Sequence, residues 1–287
     1  MLSFPEPWNW VDQRNKTKGV LNMFQPLYVA ATGLSALQDE LLNITNNLAN
    51  AKTVAFKKAR AEMESLFYVE KSFKDLLYEA MAGAETPPVN VEYGTGVRVA
   101  STAKDFTQGS VEITNNPLDV AIQGEGFFQL KMPDGTIAYT RAGNFHIDND
   151  GNLVDPNGRL LEPPIVFPEG TTSVVIRQDG TVLCAVNNQL ELTELGQITL
   201  ARFTNPAGLK SIGQNLYQAT DASGEPVIGT PTQEGFGSLN QFSLEQSNVD
   251  VISEMMRMVM VQRVFDTVTK AVQSYEGMLT SLERMKQ

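Results

Sequence analysis

The chain has 287 residues, 42% of them hydrophobic, and a formal charge of −11. That is enough apolar content for a packed core in one to three domains, and an acidic balance that excludes a phosphate-backbone partner such as nucleic acid. One cysteine, Cys184, excludes an intramolecular disulfide, and one histidine, His146, excludes a metal site built on two histidines.

Residues 1–22 place prolines and charges where a secretory signal needs an apolar core. No apolar run approaches the ~20 residues that span a bilayer. The expectation is a soluble chain with no membrane insertion and no cleaved signal. From Leu27 the apolar residues Leu27, Ala30, Leu34, Leu37, Leu41, Ile44, Leu48, Ala51 and Ala55 alternate spacings of three and four. This heptad seam predicts a helix that packs along another helix, roughly 36 Å long over 27–50. Lys52, Lys57, Lys58 and Arg60 follow it. They read either as a solvated helix end suited to the dipole or as a contact for acidic neighbouring surfaces.

Residues 83–96, rich in glycine and proline, read as loop. The middle is written in β grammar, with "DGT" (134–136), "NDGN" (149–152), "PNGR" (156–159) and "QDGT" (178–181) as hairpin signals between apolar runs. "QGEGFFQ" (123–129) lacks the third glycine of a dinucleotide fingerprint and reads as a strand with a tight bend. "HIDNDGNLVDPN" (146–157) has His146 and Asn157 where a calcium loop needs carboxylates, so a hairpin turn at Asp150–Gly151 is the better reading. His146 has no nucleophile motif beside it, and Cys184 in "TVLCAV" reads as a small core residue. No catalytic residue, cofactor site or metal site is assigned.

Residues 221–240 form a second Gly/Pro/Ser-rich connection. Ser247 and Asp250 suggest a capping box that starts a helix near Asn248. Val261, Val264, Val268, Ala271, Tyr275, Met278, Leu282 and Met285 then repeat the heptad alternation, with Val251, Met255, Met258 and Phe265 as a neighbouring stripe. "MMRMVM" (255–260) reads as an adaptable packing face. The fold class expected is mixed α and β. Terminal helices pair as a coiled-coil domain, with mostly-β structure inserted between them.

"NITNNLAN" (43–50) is the puzzle of the first helix. Each asparagine costs roughly 0.6 kcal/mol against alanine in a helix interior, about 2–3 for four. Such a helix is marginal alone. The four amides either face water or pair with something. They do not share one face, so a buried, register-setting contact is expected for some of them.

Three separated stretches resemble the bacterial flagellar rod and hook axial family. "ATGLSALQDELLNITNNLANAKTVAFKK" is similar to its N-terminal signature through Asn46, Asn47, Leu48, Ala49, Asn50, Thr53, Phe56 and Lys57. "SNVDVISEMMRMVMVQRVFDTVTKAV" is similar to its C-terminal signature through Ser247, Asn248, Val249, Gln262, Arg263 and Lys270. "TNNPLDVAIQGEGFFQL", "YTRAGNFHIDNDGNLVDPNGRLL" and "GLKSIGQNLYQ" match its middle. The likeness runs over 23–287. "GTGVRVASTAKDFTQGSVEITNN" brings it nearest the distal-rod branch, with the proximal rod as runner-up. Ala55 stands where the family usually has glycine, and Phe265 and Val268 where it has tyrosine and asparagine. Residues 1–22 have no counterpart, which fits either an added segment or a start at Met23.

The resemblance implies a structural subunit of a hollow, straight shaft that carries torque from motor to hook. It implies self-association into a helical homopolymer and contacts with other rod proteins and the hook protein. It also implies surrounding P and L rings, passage through the flagellar type III export apparatus, and a basal-body location spanning the periplasm. The domains implied are 1–22 as extension, 23–60 with 245–287 as helical polymerisation domain, 61–113 with 213–244 as connector, and 114–212 as outer β domain. The assembly residues implied are Leu34, Leu37, Leu41, Ile44, Asn46, Asn47, Leu48, Asn50, Val261, Gln262, Arg263, Val264, Val268, Tyr275 and Leu282. A non-flagellar β-domain binding module is the competing class.

Overall fold

The computed structural model describes residues 9–72, 90–186, 192–233 and 235–285. Among the described residues, a long helix, α1 (Asn9–Ala49), precedes twenty short strands, and a further helix, α2 (Val251–Met285), follows them. α1 contains Pro26. No described helix is long and apolar enough to cross a membrane. Of the loop expected at 83–96, residues 83–89 lie outside the described residues, as does the tryptophan at position 8, and 90–94 form a strand instead. The described residues fall into two compact units. One comprises Asn46–Ala59 and Ala103–Met255. The other takes the described parts of Met1–Thr45, Arg60–Thr102 and Met256–Gln287.

The first unit is the β body. Its strands are β5 (Val111–Ile113), β6 (Val120–Gln123), β7 (Phe128–Lys131), β8 (Ile137–Thr140), β9 (His146–Ile147), β10 (Leu153–Val154), β11 (Leu160–Glu162), β12 (Thr171–Ile176), β13 (Thr181–Val186), β14 (Thr193–Gln197), β15 (Leu200–Arg202), β16 (Lys210–Gly213), β17 (Leu216–Gln218), β18 (Val227–Gly229), β19 (Ser238–Gln241) and β20 (Ser243–Glu245). Seven of them form one sheet in the order β16-β17-β8-β7-β11-β10-β9, and β12-β13-β14 form another. Pairing is antiparallel, with Phe128 opposite Thr140 and Leu161 opposite Leu130.

The predicted turns are the hairpins of these sheets. β7–β8, β9–β10, β10–β11 and β12–β13 close at Gly135, Gly151, Gly158 and Gly180, all at φ between +80° and +86°, where a side chain is disfavoured. Aspartates brace three of them: Asp134, Asp155 and Asp179 each accept a backbone N–H two residues on.

Strand alternation builds a core on both faces of the large sheet. Phe128, Ala138, Leu200 and Leu216 enter one cluster, while Phe127, Tyr139, Ala201 and Tyr217, each the chain neighbour of one of these, enter the other. Phe128 meets Phe145 edge-on at 5.1 Å, and Tyr139 meets Phe203 at 4.8 Å, contacts worth about 0.5–1.5 kcal/mol beyond burial. Cys184 is a fully buried member of the first cluster, as its strand-like setting predicted, and His146 is exposed.

The second unit holds two antiparallel ladders besides its helical segments. β1 (Ala59–Ser65) pairs with β4 (Val97–Lys104), and β2 (Tyr68–Ser72) pairs with β3 (Asn90–Gly94). Thr32 on α1 accepts the backbone N–H of Val97 at 3.4 Å, and Glu40 meets Arg257 of α2 at 3.4 Å.

Two helix boundaries differ from expectation. α1 begins at Asn9, eighteen residues before the start expected at Leu27. α2 begins at Val251 with Asp250 as its cap, accepting the N–H of Ile252 and the hydroxyl of Ser253. Ser247 does not start the helix because the side chain of Asn248, next to it, is tied to Lys58, Asp105 and Thr107.

Candidate functional site

The asparagine run of α1 divides into two groups. Asn46 and Asn50 are linked on the outer side, the Asn50 amide donating to the Asn46 carbonyl at 2.9 Å and to its Oδ1 at 3.1 Å, while Thr53 donates to Asn50. Asn43 donates to the carbonyl of Asp39, one turn back. Asn47 is different: it is 1% exposed. Its Nδ2 donates to the Ala59 carbonyl at 2.8 Å and its Oδ1 accepts the Ala59 N–H at 2.9 Å. One side-chain amide thus pairs both polar groups of a peptide residue that starts β1. Nδ2 also lies 3.3 Å from a carboxylate oxygen of Glu254, in the first turn of α2.

Between Asn47 and Ala59 the chain makes a tight return. Ala55 sits at φ +56° with its N–H donated to the Glu245 carbonyl at 2.8 Å. A left-handed turn, which glycine makes freely, is made here by alanine at a cost of roughly 1–2 kcal/mol. Phe56 and Lys57 follow, both buried.

Lys57 corrects the reading of the basic cluster as either a solvated end or an intersubunit contact. Its side chain is fully buried. Its Nζ donates to Glu245 Oε1 and to the Thr107 carbonyl, both at 2.6 Å. Glu245 Oε1 also accepts the Gly109 N–H at 2.9 Å, and Oε2 faces Arg141 at 3.4 Å. A Cβ on Gly109 would stand 2.0 Å from the Gln246 carbonyl oxygen, so the backbone can come this close only without a side chain. The Arg141 guanidinium stacks 5.3 Å from the Phe127 ring. Two cations and one carboxylate thus share a buried site. Burial pulls both the Lys57 ammonium and the Arg141 guanidinium below their usual values, against the pull of Glu245, and burial holds the Tyr217 phenol above its own. The other cations of the cluster behave as surface groups: Lys58 pairs with Asp105 at 3.3 Å, Arg60 pairs with Glu62 at 3.2 Å, and Lys52 is exposed.

Asn248 closes the arrangement from the other end of the chain. Its Oδ1 accepts the Lys58 N–H at 2.8 Å, and its Nδ2 donates to the Asp105 carbonyl at 2.8 Å and to Thr107 at 3.1 Å. Asn215 donates to the Val54 carbonyl at 2.8 Å. The result is a polar lock that joins the last turn of α1, its return loop, β20 and the first turn of α2. It is organised for holding. Lys57 and Arg141 share Glu245, and the amides of Asn47, Asn215 and Asn248 each hold backbone groups.

The remaining expected residues lie along the helices. Ile44 and Val261 are buried at 2% and 7%, while Leu34, Leu37, Leu41, Leu48, Val268 and Tyr275 are half-buried. Gln262 and Arg263 are exposed, and Val264, Met278 and Leu282 are exposed at 44%, 61% and 56%. The covered stripe of α2 is Val261, Phe265, Val268, Val272, Tyr275 and Leu279, with the spacing of a seam. The Val264–Ala271–Met278–Leu282 side stands beside it, open. Sequence reasoning missed Glu245, Arg141 and Glu254. The only local sign was a single acid in the otherwise uncharged run "NQFSLEQS" (240–247).

Comparison with known proteins gives three family matches. Residues 27–57 match the family described as flagella basal body rod protein. Residues 121–184 match the flagellar hook protein FlgE/F/G D1 domain, and 240–285 match the flagellar basal body rod FlgEFG protein C-terminal family. The chain is 40% identical over 273 residues to the flagellar basal-body rod protein FlgG of Borreliella burgdorferi, covering 92% of this chain and 99% of that one. It is 40% identical over 266 residues to FlgG of Buchnera aphidicola (92% and 100%) and 37% identical over 270 residues to FlgG of Caulobacter vibrioides (91% and 99%).

Proposed function

The chain belongs to the flagellar basal-body rod protein family and is a structural subunit of the rod, and from that premise we propose how its parts serve the assembly. The family implies self-association and contact with other rod and hook components, at the basal body and without catalysis. In our reading the subunit is of the distal rod. The terminal helices pair as coiled coils along the inner tube, 114–212 form the outer wall, and 61–113 with 213–244 connect them. Torque passes as load across subunit interfaces. The P and L rings surround the outer wall, and the subunit reaches its place across the periplasm through the flagellar export apparatus, without a cleaved signal.

The observation that carries this reading is the contrast along α2. One stripe is covered within the chain, while Val264, Met278 and Leu282 beside it are open to water. An apolar face of that length on a helix is stable in solution only at a cost, and a second copy supplies its cover. The β body supports it from the other side, since it is closed around two cores and gathers Lys57, Arg141 and Glu245 in its interior.

The test uses Leu282→Asp and Val264→Asp in the full chain. Both sites are exposed in the free subunit, so the melting temperature should hold within a degree or two, while rods fail to assemble and motility is lost. A motile strain with rods of normal length carrying either change would overturn the reading.

A further inference from the structure

Six of the eleven methionines lie on α2. Within the helical part of the second unit, Met256, Met260, Met278 and Met285 are 62%, 67%, 61% and 83% exposed. A thioether in a solvent-facing position on a helix is open to two-electron oxidants, and the sulfoxide is polar where the thioether was apolar. Met132, by contrast, packs half-buried against the β core.

We propose that Met256, Met260, Met278 and Met285 are an oxidation site that decides whether a subunit can be built in. The reagent class is a hydroperoxide such as hydrogen peroxide. With hydrogen peroxide the sulfur lone pair attacks one peroxide oxygen, the S–O bond forms as the O–O bond breaks, and the departing hydroxide takes the proton of the transferred hydroxyl, leaving sulfoxide and water. Sulfur is oxidised and the peroxide reduced, with no other co-reactant. The inference rests on the reading of α2 as an assembly face. On that face a sulfoxide dipole would have to be buried against apolar side chains without a partner, which is unfavourable. A subunit already packed against its neighbours has these sulfurs covered and resists. Oxidation therefore sorts free subunits and spares finished rods.

The experiment treats the full-length free subunit and preassembled polymer with hydrogen peroxide and reads each methionine by peptide mass spectrometry. In the free subunit the four α2 sites should oxidise faster than Met132. In the polymer they should be protected at least tenfold. Oxidised subunits should fail to extend polymer in sedimentation, and treatment with methionine sulfoxide reductases should restore extension. A chain with all four changed to leucine should extend polymer equally before and after peroxide. If polymer forms but leaves the four sites as reactive as in the free subunit, α2 is not the interface and the functional reading itself falls. If the sites are protected, yet fully oxidised subunits still extend polymer at the original rate, the inference alone is wrong. The reductase arm decides the question on the natural sequence even if the leucine variant assembles poorly.

Discussion

At the scale of single residues, two asparagines one position apart have opposite roles. Asn46 spends its side chain on Asn50 at the surface, while Asn47 pairs both polar groups of Ala59 in the interior. Asn47→Leu keeps much of the volume but orphans a buried N–H and a buried carbonyl, at about 1–3 kcal/mol each. Asn46→Ala removes a weak helix former from an exposed site and should change stability by less than about 0.5 kcal/mol. Urea unfolding of the two variants checks the contrast; equal effects would mean the buried pairing is not what holds the return loop. The charged triad behaves differently because it can be broken or replaced. Glu245→Leu strands Lys57 and Arg141 without a counter-ion and should cost about 3–5 kcal/mol, whereas adding Lys57→Met and Arg141→Met to it should recover most of that loss. Failure of the triple variant to recover would show that the triad's hydrogen bonds to Thr107 and Gly109 carry the stability.

At the scale of elements, the exit from α1 shows what a helix end must do here. Ala55 holds a left-handed turn at φ +56° with its methyl group fully buried. Ala55→Gly relieves roughly 1 kcal/mol of backbone strain and loses a similar amount of apolar burial and backbone entropy, so its midpoint in urea should stay close to the parent. Ala55→Val puts a β-branched residue in the same conformation with no room for it, and should lower stability by roughly 2–4 kcal/mol. A parent-like Val variant would mean the loop adopts another path in solution. The hairpins around this element were legible in the sequence, because Asp134–Gly135, Asp150–Gly151, Asn157–Gly158 and Asp179–Gly180 each carry the whole instruction for a turn within a few residues. The helices were legible by period where a seam runs, from Leu27 in α1 and along α2, while 9–26 of α1 carry no such seam and were not foreseen. The lock was not: Lys57 and Glu245 stand 188 positions apart and Asn47 and Glu254 stand 207 apart. Nothing local distinguishes a lysine that will be buried from its solvated neighbours Lys52 and Lys58. The helix start was misplaced for the same reason, since Asn248 is drawn to Lys58 and Asp105 by contacts no local window contains. The stripe of α2 that the chain covers likewise depends on what packs there, and periodicity allowed two neighbouring choices.

At the scale of the whole molecule, stability is unevenly supplied. The β body closes a core on each face of its large sheet and pairs its interior charges. The helical segments of the other unit expose Tyr28, Leu42, Val259, Met260 and Val264. The ion pair of Arg257 with Glu40 is partly exposed and worth at most about 1 kcal/mol. Opening free energies follow buried contact, so the two regions should exchange amide hydrogens on different timescales. In the free chain, β6, β7, β8, β11 and β13 should be the slowest, with 27–45 of α1 and 262–285 of α2 exchanging many-fold faster. Asn47 through Ala59 should follow the β body, because the lock belongs to it. In assembled rods both helices should become as slow as the strands. On the proposed export route, this division suits a subunit that is threaded through a channel before it is built in. Helices with marginal intrinsic stability open readily, and the lock leaves their roots set for the neighbours that will cover them. Helices already protected in the free chain to the level of β7 would remove the basis for this account, because assembly would then have no ordering left to supply.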